Sequence, residues 1–294
     1  MNVTDFIQRR KALKLSQRKL CQGICTQATL SRFENNSHVP SLTILTQLCA
    51  RLGMTVETLY QSEADTVSQV NIQLDEIEKS LMMEDYCQAF QKLSAIDSDQ
   101  IESVIAKMRF YYLRGLMTAL TNGNVLDISY DLSLIFNVLD VNQKTIFTTL
   151  GFLGMGEMYA RNHQLQRAQF YFDKVNDYLS QLPAEQQSEQ YYLRVLMMVY
   201  YTAEFEMTRN HYADSQRLIK AGVGLCSSQH VTFYLPNLKF LATRCAIALH
   251  QPTQKVQGLM SETLAFAKIN QNEVVEVKLA ALKRQLEKGQ LREA

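Results

Sequence analysis

The stretch from Leu15 to Tyr60 contains two short helix signals that are separated only by a tight turn. The first signal begins at Ser16, whose hydroxyl can accept hydrogen bonds from the free N–H groups of a first helical turn. Leu20 and Ile24 follow at helical spacing, and Gly23 tolerates the backbone of the turn that ends the helix. The pattern therefore predicts a short helix followed at once by a turn.

The second signal begins at Thr26, which is in position to cap a helix over Gln27–Glu34. Leu30 and Phe33 share the inner face of this helix. Two short helices joined by so tight a turn predict a helix-turn-helix unit, whose second helix fits the major groove of DNA.

The outward residues of the second helix are of the types that read base edges. Gln pairs with adenine through two hydrogen bonds, Arg reads guanine or holds a phosphate, and Ala and the Thr methyl group contact the thymine methyl group. Gln17 begins the preceding helix, where it can touch a phosphate or brace Gln27. The alternative interpretation is a solvated helix face. The candidate DNA-contacting residues are Gln17, Gln27, Ala28, Thr29, Ser31 and Arg32.

The residues around this unit resemble the Cro/C1-type (XRE) helix-turn-helix domain over residues 1–62. The resemblance implies five short helices and dimeric binding to a two-fold operator. It also implies an ion pair between Arg10 and Glu34, which we expect to be structural and not base-reading. The residues that carry the resemblance are Arg10, Leu15–Gln17, Leu20, Thr29–Asn35, Pro40, Ser41, Leu45, Leu48, Leu52, Gly53 and Leu59.

Charge is distributed unevenly along the chain. The whole sequence has a formal net charge of +1, but residues 1–60 carry eight Lys or Arg against three acidic residues, a net +5, which leaves −4 for the remainder. A basic head on a mildly acidic body is the distribution expected when only the head meets phosphate. No stretch approaches the roughly 18 apolar residues of a membrane span, and the N-terminus lacks a secretion signal. We expect a cytosolic protein with no membrane partner.

Side chains that could support catalysis or metal binding are scattered. Six cysteines occur without a CxxC pattern, and five histidines show no ligand-like pairing. We expect buried thiols, with an intersubunit disulfide or a redox switch as the alternative. The sequence has no P-loop, GxSxG, HExxH or glycine-rich dinucleotide turn. We therefore expect no metal, no cofactor and no enzymatic activity.

The rest of the chain predicts paired helices. We expect a fifth short helix, capped by Thr55, to end at Tyr60, a linker at residues 63–70, and a helical domain at residues 71–290. No strand is indicated. The clearest pair has Gly156, Tyr159, Leu165, Ala168 and Phe172 at offsets that resemble the tetratricopeptide repeat. The predicted fold is all-α: a five-helix XRE-type head, then about five tetratricopeptide-like pairs and a last helix, Glu273–Lys288. A generic helical bundle is the alternative.

A stack of such pairs has a concave surface lined by the first helix of each pair. Polar and aromatic residues there could hold an extended peptide through its backbone, termini and side chains. The alternative is that each residue is solvated or packs in the core. Projection of the inward repeat positions onto the sequence selects Arg109, Tyr112, Leu153, Glu157, Arg161, Tyr200, Glu204, Asn237 and Lys239.

The combination of an XRE-type head with a tetratricopeptide-like body resembles the Rgg/PlcR group of peptide-responsive regulators, and Gly23–Glu34 is similar to their recognition region. The resemblance implies a homodimeric transcription regulator that binds a DNA palindrome and responds to a short quorum-sensing peptide in the concave groove. One alternative is a regulator whose body is a dimerisation and protein-docking scaffold without a peptide. Another is a phage-immunity or toxin–antitoxin repressor, for which the long body would be unusual.

Overall fold

The computed structural model describes residues 3–35, 38–54, 56–182 and 188–288. Within these ranges the regular elements are helices and no strand occurs, which confirms the all-α prediction. The chain divides into two compact units, residues 1–72 and 73–294. Among the described helices, none has both the length and the apolar character needed to span a bilayer.

The first unit packs its helices around a small apolar core. Phe6 and Phe33 meet edge to face, with 5.1 Å between ring centroids, and Leu20, Leu30 and Leu48 are fully buried beside them. The inward positions predicted for the second helix of the turn unit are therefore core positions. The helices are α1 (Val3–Ala12), α2 (Gln17–Cys21), α3 (Gln27–Glu34), α4 (Leu42–Arg51) and the start of α5 (Val56–Met82).

The fifth helix is much longer than the sequence predicted. We expected it to end at Tyr60, but α5 continues to Met82 and passes through the expected linker at residues 63–70. The segment Gln61–Gln69 is polar yet contains neither Pro nor Gly, so nothing in it interrupts the backbone hydrogen bonds of a helix. Thr55, the expected cap, lies outside the described residues.

The second unit consists of helix pairs followed by one further helix, which confirms the tetratricopeptide-like architecture. The end of α5 pairs with the first of the remaining helices, and short 3₁₀ and π-helical turns occur at Ser98–Gln100 and Ile135–Leu139. The other helices are α6 (Tyr86–Ser94), α7 (Val104–Leu120), α8 (Val125–Leu134), α9 (Ile146–Arg161), α10 (Leu165–Ser180), α11 (Glu189–Thr208), α12 (Tyr212–Gln229), α13 (Leu235–Ala248), α14 (Thr253–Ile269) and α15 (Glu273–Glu287).

The turn inside each pair places one residue in the left-handed backbone region. The five residues have φ angles from 51° to 62° and are Glu84, Asn122, His163, Asn210 and His250. Asn and His are enriched among non-glycine residues that adopt this conformation. Glu84, in the turn between α5 and α6, is the exception among these five.

Gly156 lets the two helices of the α9–α10 pair approach closely. A Cβ atom at this position would lie 3.0 Å from the ring of Phe172, which is fully buried and stacks on Phe205 with 4.1 Å between centroids. At Gly224 of α12, by contrast, a Cβ atom would meet nothing within 4 Å.

These two glycines should respond oppositely to alanine. Gly156→Ala gains about 1 kcal/mol of helix propensity but overpacks a ring that has no room to move, at a cost of about 1–3 kcal/mol. We expect a net loss of about 1 kcal/mol, whereas Gly224→Ala should gain about 0.5–1 kcal/mol. Urea unfolding followed by circular dichroism measures both. Equal stabilisation by the two substitutions would contradict the close packing of Phe172.

Candidate functional site

The solvent side of α3 presents the residues that the sequence selected for reading DNA. Gln27, Ala28 and Arg32 are exposed, and Thr29 and Ser31 are half-buried. Gln27 and Ser31 are four residues apart and are therefore neighbours on the helix surface, and the same holds for Ala28 and Arg32. This face contains no acidic residue, and its glutamine, alanine and arginine match the chemistry of base edges in the major groove.

The start of α3 is fixed by its cap. The Thr26 hydroxyl accepts a hydrogen bond from the Thr29 backbone N–H at 3.2 Å and lies 2.9 Å from the Thr29 hydroxyl. Ser16 caps α2 in the same way, through the N–H of Lys19 at 3.2 Å. A side-chain cap of this kind stabilises a short helix by about 1 kcal/mol. The N-terminal end of α3, where Gln27 and Ala28 lie, is therefore held in one conformation.

The other end of α3 is held by Glu34, whose side chain is almost completely buried. Arg10 donates to its two carboxylate oxygens at 2.6 and 2.9 Å, and Gln17 donates to it at 2.8 Å. Arg10 also donates to the Leu15 carbonyl at 2.8 Å. Glu34 thus joins α1, α2 and α3. Gln17 braces Glu34 and not Gln27, because Glu34 reaches back to the first turn of α2.

Basic residues of the first unit divide into two groups. Arg51 donates to the carbonyls of Leu20 and Gln22 at 2.9 and 2.6 Å, which closes the C-terminal end of α2. Arg18 and Lys19 are instead exposed on α2. Arg18 and Lys19 were not among the predicted DNA-contacting residues. The first helix of a helix-turn-helix crosses the DNA backbone, and this rule would have indicated them.

In the second unit, two of the predicted groove residues lie in a buried ionic cluster around Glu78. Arg109 donates to Glu78 at 2.8 Å and to Asp75 at 2.5 Å. Arg194 donates to both Glu78 oxygens, at 2.9 and 3.0 Å, and the Tyr112 hydroxyl donates to Glu78 as well. The last turns of α5 thus cover the groove-facing side of α7, so Arg109 and Tyr112 have almost no exposed surface.

Two other predicted groove residues are placed differently, one in the core and one on another face of its helix. Leu153 is completely buried. Lys239 faces away from Asn237 and pairs with Glu262 of α14 at 2.6 Å. Positions 237 and 239 are two residues apart, which is about 200° around a helix, so they cannot share a face. We do not retain Arg109, Tyr112, Leu153 or Lys239 in the groove.

Three of the remaining candidates, Glu157, Arg161 and Glu204, take part in two ionic pairs on the first helices, in which Glu157 is buried and the others are partly exposed. Glu157 accepts from Arg161 at 3.0 Å within α9, and Arg244 of α13 donates to Glu204 of α11 at 3.3 Å. Burial raises the pKa of Glu157 to about 7; Arg161 opposes the rise and Glu204 adds to it. Tyr200 is buried beside Glu204, with a pKa raised first by burial and then by that carboxylate. Arg244, which sequence reasoning missed, completes this surface.

Asn237 contacts the turn between α5 and α6. Its side-chain amide donates to Glu84 at 2.9 Å, and Lys278 of α15 donates to the other Glu84 oxygen. Tyr86, two residues further on, has its pKa raised to about 12 by burial and by Glu84. The structure therefore brings together Glu157, Arg161, Tyr200, Glu204 and Asn237 from the sequence selection, and adds Glu84, Tyr86, Arg244 and Lys278.

Within the described ranges, one group has the spacing of metal ligands. Side-chain atoms of Glu206, His211 and Asp214 lie within 4.8 Å of one another. His211 Nδ1 is 2.9 Å from Glu206, and Arg209 lies 4.0 Å from the same carboxylate. A guanidinium so close disfavours a second cation, so we assign no metal to this group.

Comparison with known proteins extends over both units. A helix-turn-helix family model matches residues 7–59. No curated protein matches the chain significantly. Among solved structures, PlcR from Bacillus thuringiensis in complex with the peptide PapR7 and DNA has a TM-score of 0.59 at 16% identity, covering 94% of this chain and 98% of its own.

The competence regulator ComR from Streptococcus vestibularis is similar in two states. In complex with its cognate signalling peptide XIP it has a TM-score of 0.61 at 17% identity, covering 96% of this chain and 97% of its own. Its apo form has a TM-score of 0.52 at 15% identity, covering 95% of each chain. The chain therefore has a helix-turn-helix domain and shares the fold of PlcR and ComR over nearly its whole length, which confirms the resemblance to this group.

Proposed function

We propose that this protein is a transcription regulator that binds a two-fold DNA operator as a homodimer and is controlled by a short signalling peptide. The observation that supports DNA binding best is the α3 face. Gln27 and Ala28 are exposed at the capped start of α3 and Arg32 is exposed in its last turn, while the buried Glu34 fixes the other side of the same helix. A rigid helix with a polar, acid-free face is suited to the major groove.

The basic residues of the head supply the sequence-independent part of binding. Arg18 and Lys19, exposed on α2, contact backbone phosphates, while α3 reads bases. One head covers one half-site, so a palindromic operator needs two copies of the chain with heads about one helical turn of DNA apart. The repeat unit is the part we assign to dimerisation.

The peptide is proposed to bind the repeat-unit groove. The supporting observation is the alternation of carboxylates and guanidinium groups at Glu157, Arg161, Glu204 and Arg244, which can pair with the backbone and charged groups of an extended peptide. PlcR and ComR, which share the fold, have solved structures in complex with peptides. A peptide shifts the spacing of the two heads only if it binds one conformation of the dimer more tightly than the other.

The alternative is a regulator whose helical body is a fixed scaffold. The burial of Arg109, Tyr112 and Leu153 favours this alternative, because these three predicted groove residues are packed and not open to a ligand in this conformation. The two functions make different predictions for the same measurement.

The deciding experiment is operator binding by the full-length protein to the DNA that flanks its gene. Fluorescence anisotropy at constant salt would be measured with and without each short peptide encoded nearby. A peptide that changes the dissociation constant supports the switch. Specific binding that no peptide alters supports the scaffold, and absence of specific binding overturns both.

If α3 reads bases, substitutions on its exposed face should cause large losses of operator affinity. Gln27→Ala and Arg32→Ala should each weaken specific operator binding by about 1–3 kcal/mol, or roughly 5- to 150-fold per half-site contact. Arg32→Ala should also reduce the salt dependence of binding, whereas Gln27→Ala should not. Gln47→Ala is a matched control, because Gln47 is exposed on α4. Normal binding by Gln27→Ala would show that the recognition helix is wrongly assigned.

A further inference from the structure

The α5–α6 turn reaches helices that lie far away in the sequence. Glu84 is 153 residues from Asn237 and 194 residues from Lys278, and it contacts both with its two carboxylate oxygens. Its side chain is nearly buried, with 9% of its surface exposed. Two donors from two different helices therefore converge on one carboxylate.

One of the two donors, Asn237, is held in place by the protein itself. Asn237 is 1% exposed, and its carbonyl oxygen accepts from Asn272 at 3.4 Å. Asn272 in turn caps α15 by accepting from the Val275 N–H at 3.1 Å. This chain of bonds fixes the orientation of the Asn237 amide, so that its N–H₂ group faces Glu84. Lys278 supplies the positive charge.

Glu84 is also an unusual residue for its backbone position. The equivalent turn residues of the other four pairs are Asn122, His163, Asn210 and His250, which tolerate the left-handed conformation better than glutamate. The turn itself therefore gives no reason for a glutamate. The contact with Asn237 and Lys278 does, because it requires a carboxylate.

The contact borders solvent. A cleft of about 750 Å³ lies against the Glu84 end of the contact. It is lined by residues of the turn, including Glu84 and Tyr86, and by Gln271, Glu273 and Val274 around the start of α15. At the other end, the side chain of Lys278 is 38% exposed. Both charged groups of the contact therefore border solvent.

We infer that Asn237 and Lys278 form a carboxylate-binding subsite, that Glu84 of the same chain occupies it, and that a carboxylate of a peptide ligand binds there by displacing Glu84. The inference rests on the proposed function in that the natural ligand is taken to be a peptide. The shared chemistry is a carboxylate, which a peptide offers at its C-terminus or on an Asp or Glu side chain.

The test removes the Glu84 carboxylate from the subsite and measures whether the subsite then binds carboxylates more tightly than uncharged amides. Glu84→Asn removes the internal carboxylate and installs the residue found in two of the equivalent turns, so the turn is preserved. The probes are N-acetyl-tetraalanine with a free C-terminal carboxylate, the same peptide as its C-terminal amide, and an amidated N-acetyl-Ala-Glu-Ala-Ala. Dissociation constants are measured by NMR titration of the full-length protein, and circular dichroism checks the fold.

We expect Glu84→Asn to bind a carboxylate probe at least about tenfold more tightly than the uncharged amide, as for a charge-assisted hydrogen bond. The native protein should discriminate less because Glu84 competes, and adding Lys278→Met should abolish the preference. Glu262→Asn, which breaks the Lys239 pair on α14, is the matched control and should behave like the native protein. The two carboxylate probes distinguish a C-terminal from a side-chain source.

Equal binding of acid and amide by Glu84→Asn, or no binding of any probe, would overturn the subsite. Neither result touches the operator measurement, which uses DNA and gene-encoded peptides. Conversely, an operator affinity that no peptide alters would remove the peptide switch while leaving a measured carboxylate preference in place.

Discussion

Replacing Glu78 by glutamine should lower the free energy of unfolding of the repeat unit by about 3–5 kcal/mol. The substitution keeps the volume of the side chain but removes the negative charge that Arg109 and Arg194 share. Arg194 is then buried without a compensating charge, and Arg109 keeps only its pair with the partly exposed Asp75. For a unit of this size the thermal midpoint should fall by about 10 °C, measured by circular dichroism on the full-length protein.

An exposed ion pair supplies the control. Asp214 and Arg217 pair at 3.1 Å with side chains that are 53% and 70% exposed, so Asp214→Asn should change stability by less than about 0.5 kcal/mol. Similar midpoints for the two variants would contradict the structural importance of the Glu78 cluster.

The effect of Glu78 should also depend on pH. Burial alone would raise its pKa, but Arg194, Arg109 and Tyr112 outweigh burial and hold the pKa below its ordinary value of 4.5. A lowered pKa in the folded state stabilises the protein fully above about pH 4.5, and this stabilisation is lost as the pH falls through the folded-state pKa. The difference in stability between the native protein and Glu78→Gln should therefore shrink below pH 4.5.

Local signals in the sequence were sufficient to predict the helices of the head and the helix pairs of the second unit. The hydroxyls of Ser16 and Thr26 indicate helix starts because they can cap the first turn. The small Gly156 opposite the large Phe172 indicates that two helices approach closely. These effects act between residues a few positions apart, or within one repeated unit. The end of α5 was missed because a polar segment was interpreted as a linker, although polarity without Pro or Gly does not stop a helix.

The groove was only partly predictable for a different reason. Repeat spacing indicates which face of a helix is inward, but not what lies against that face. Glu78 reaches Arg194 across 116 residues and Glu84 reaches Lys278 across 194, and no local pattern reports such contacts. Arg109 and Tyr112 thus occupy inward positions, as projected, yet the chain's own α5 covers them.

Loss of the Glu34 charge should destabilise the head to a comparable degree. Glu34→Gln leaves Arg10, whose side chain is only 12% exposed, without its counter-charge, and a loss of about 3 kcal/mol is expected. In hydrogen exchange of the full-length protein, amides in α1, α2 and α3 should then exchange roughly a hundredfold faster. Arg10→Met combined with Glu34→Met should cost at least about 2 kcal/mol less than the sum of the single substitutions, because neither charge is left uncompensated. Additive losses would contradict a direct pair.

Comparing Glu34→Gln with Gln27→Ala distinguishes residues that hold the recognition helix in place from residues that read bases. Glu34→Gln should bind operator with an affinity reduced only by the fraction of heads that are unfolded, so that cooling or added osmolyte restores it. Gln27→Ala should have native hydrogen exchange and an affinity that neither treatment restores. This difference follows from the geometry of α3, since Glu34 is buried against α1 and α2 while Gln27 faces solvent. If osmolyte restored binding by Gln27→Ala, its role would be structural and the reading face would have to lie elsewhere on the head.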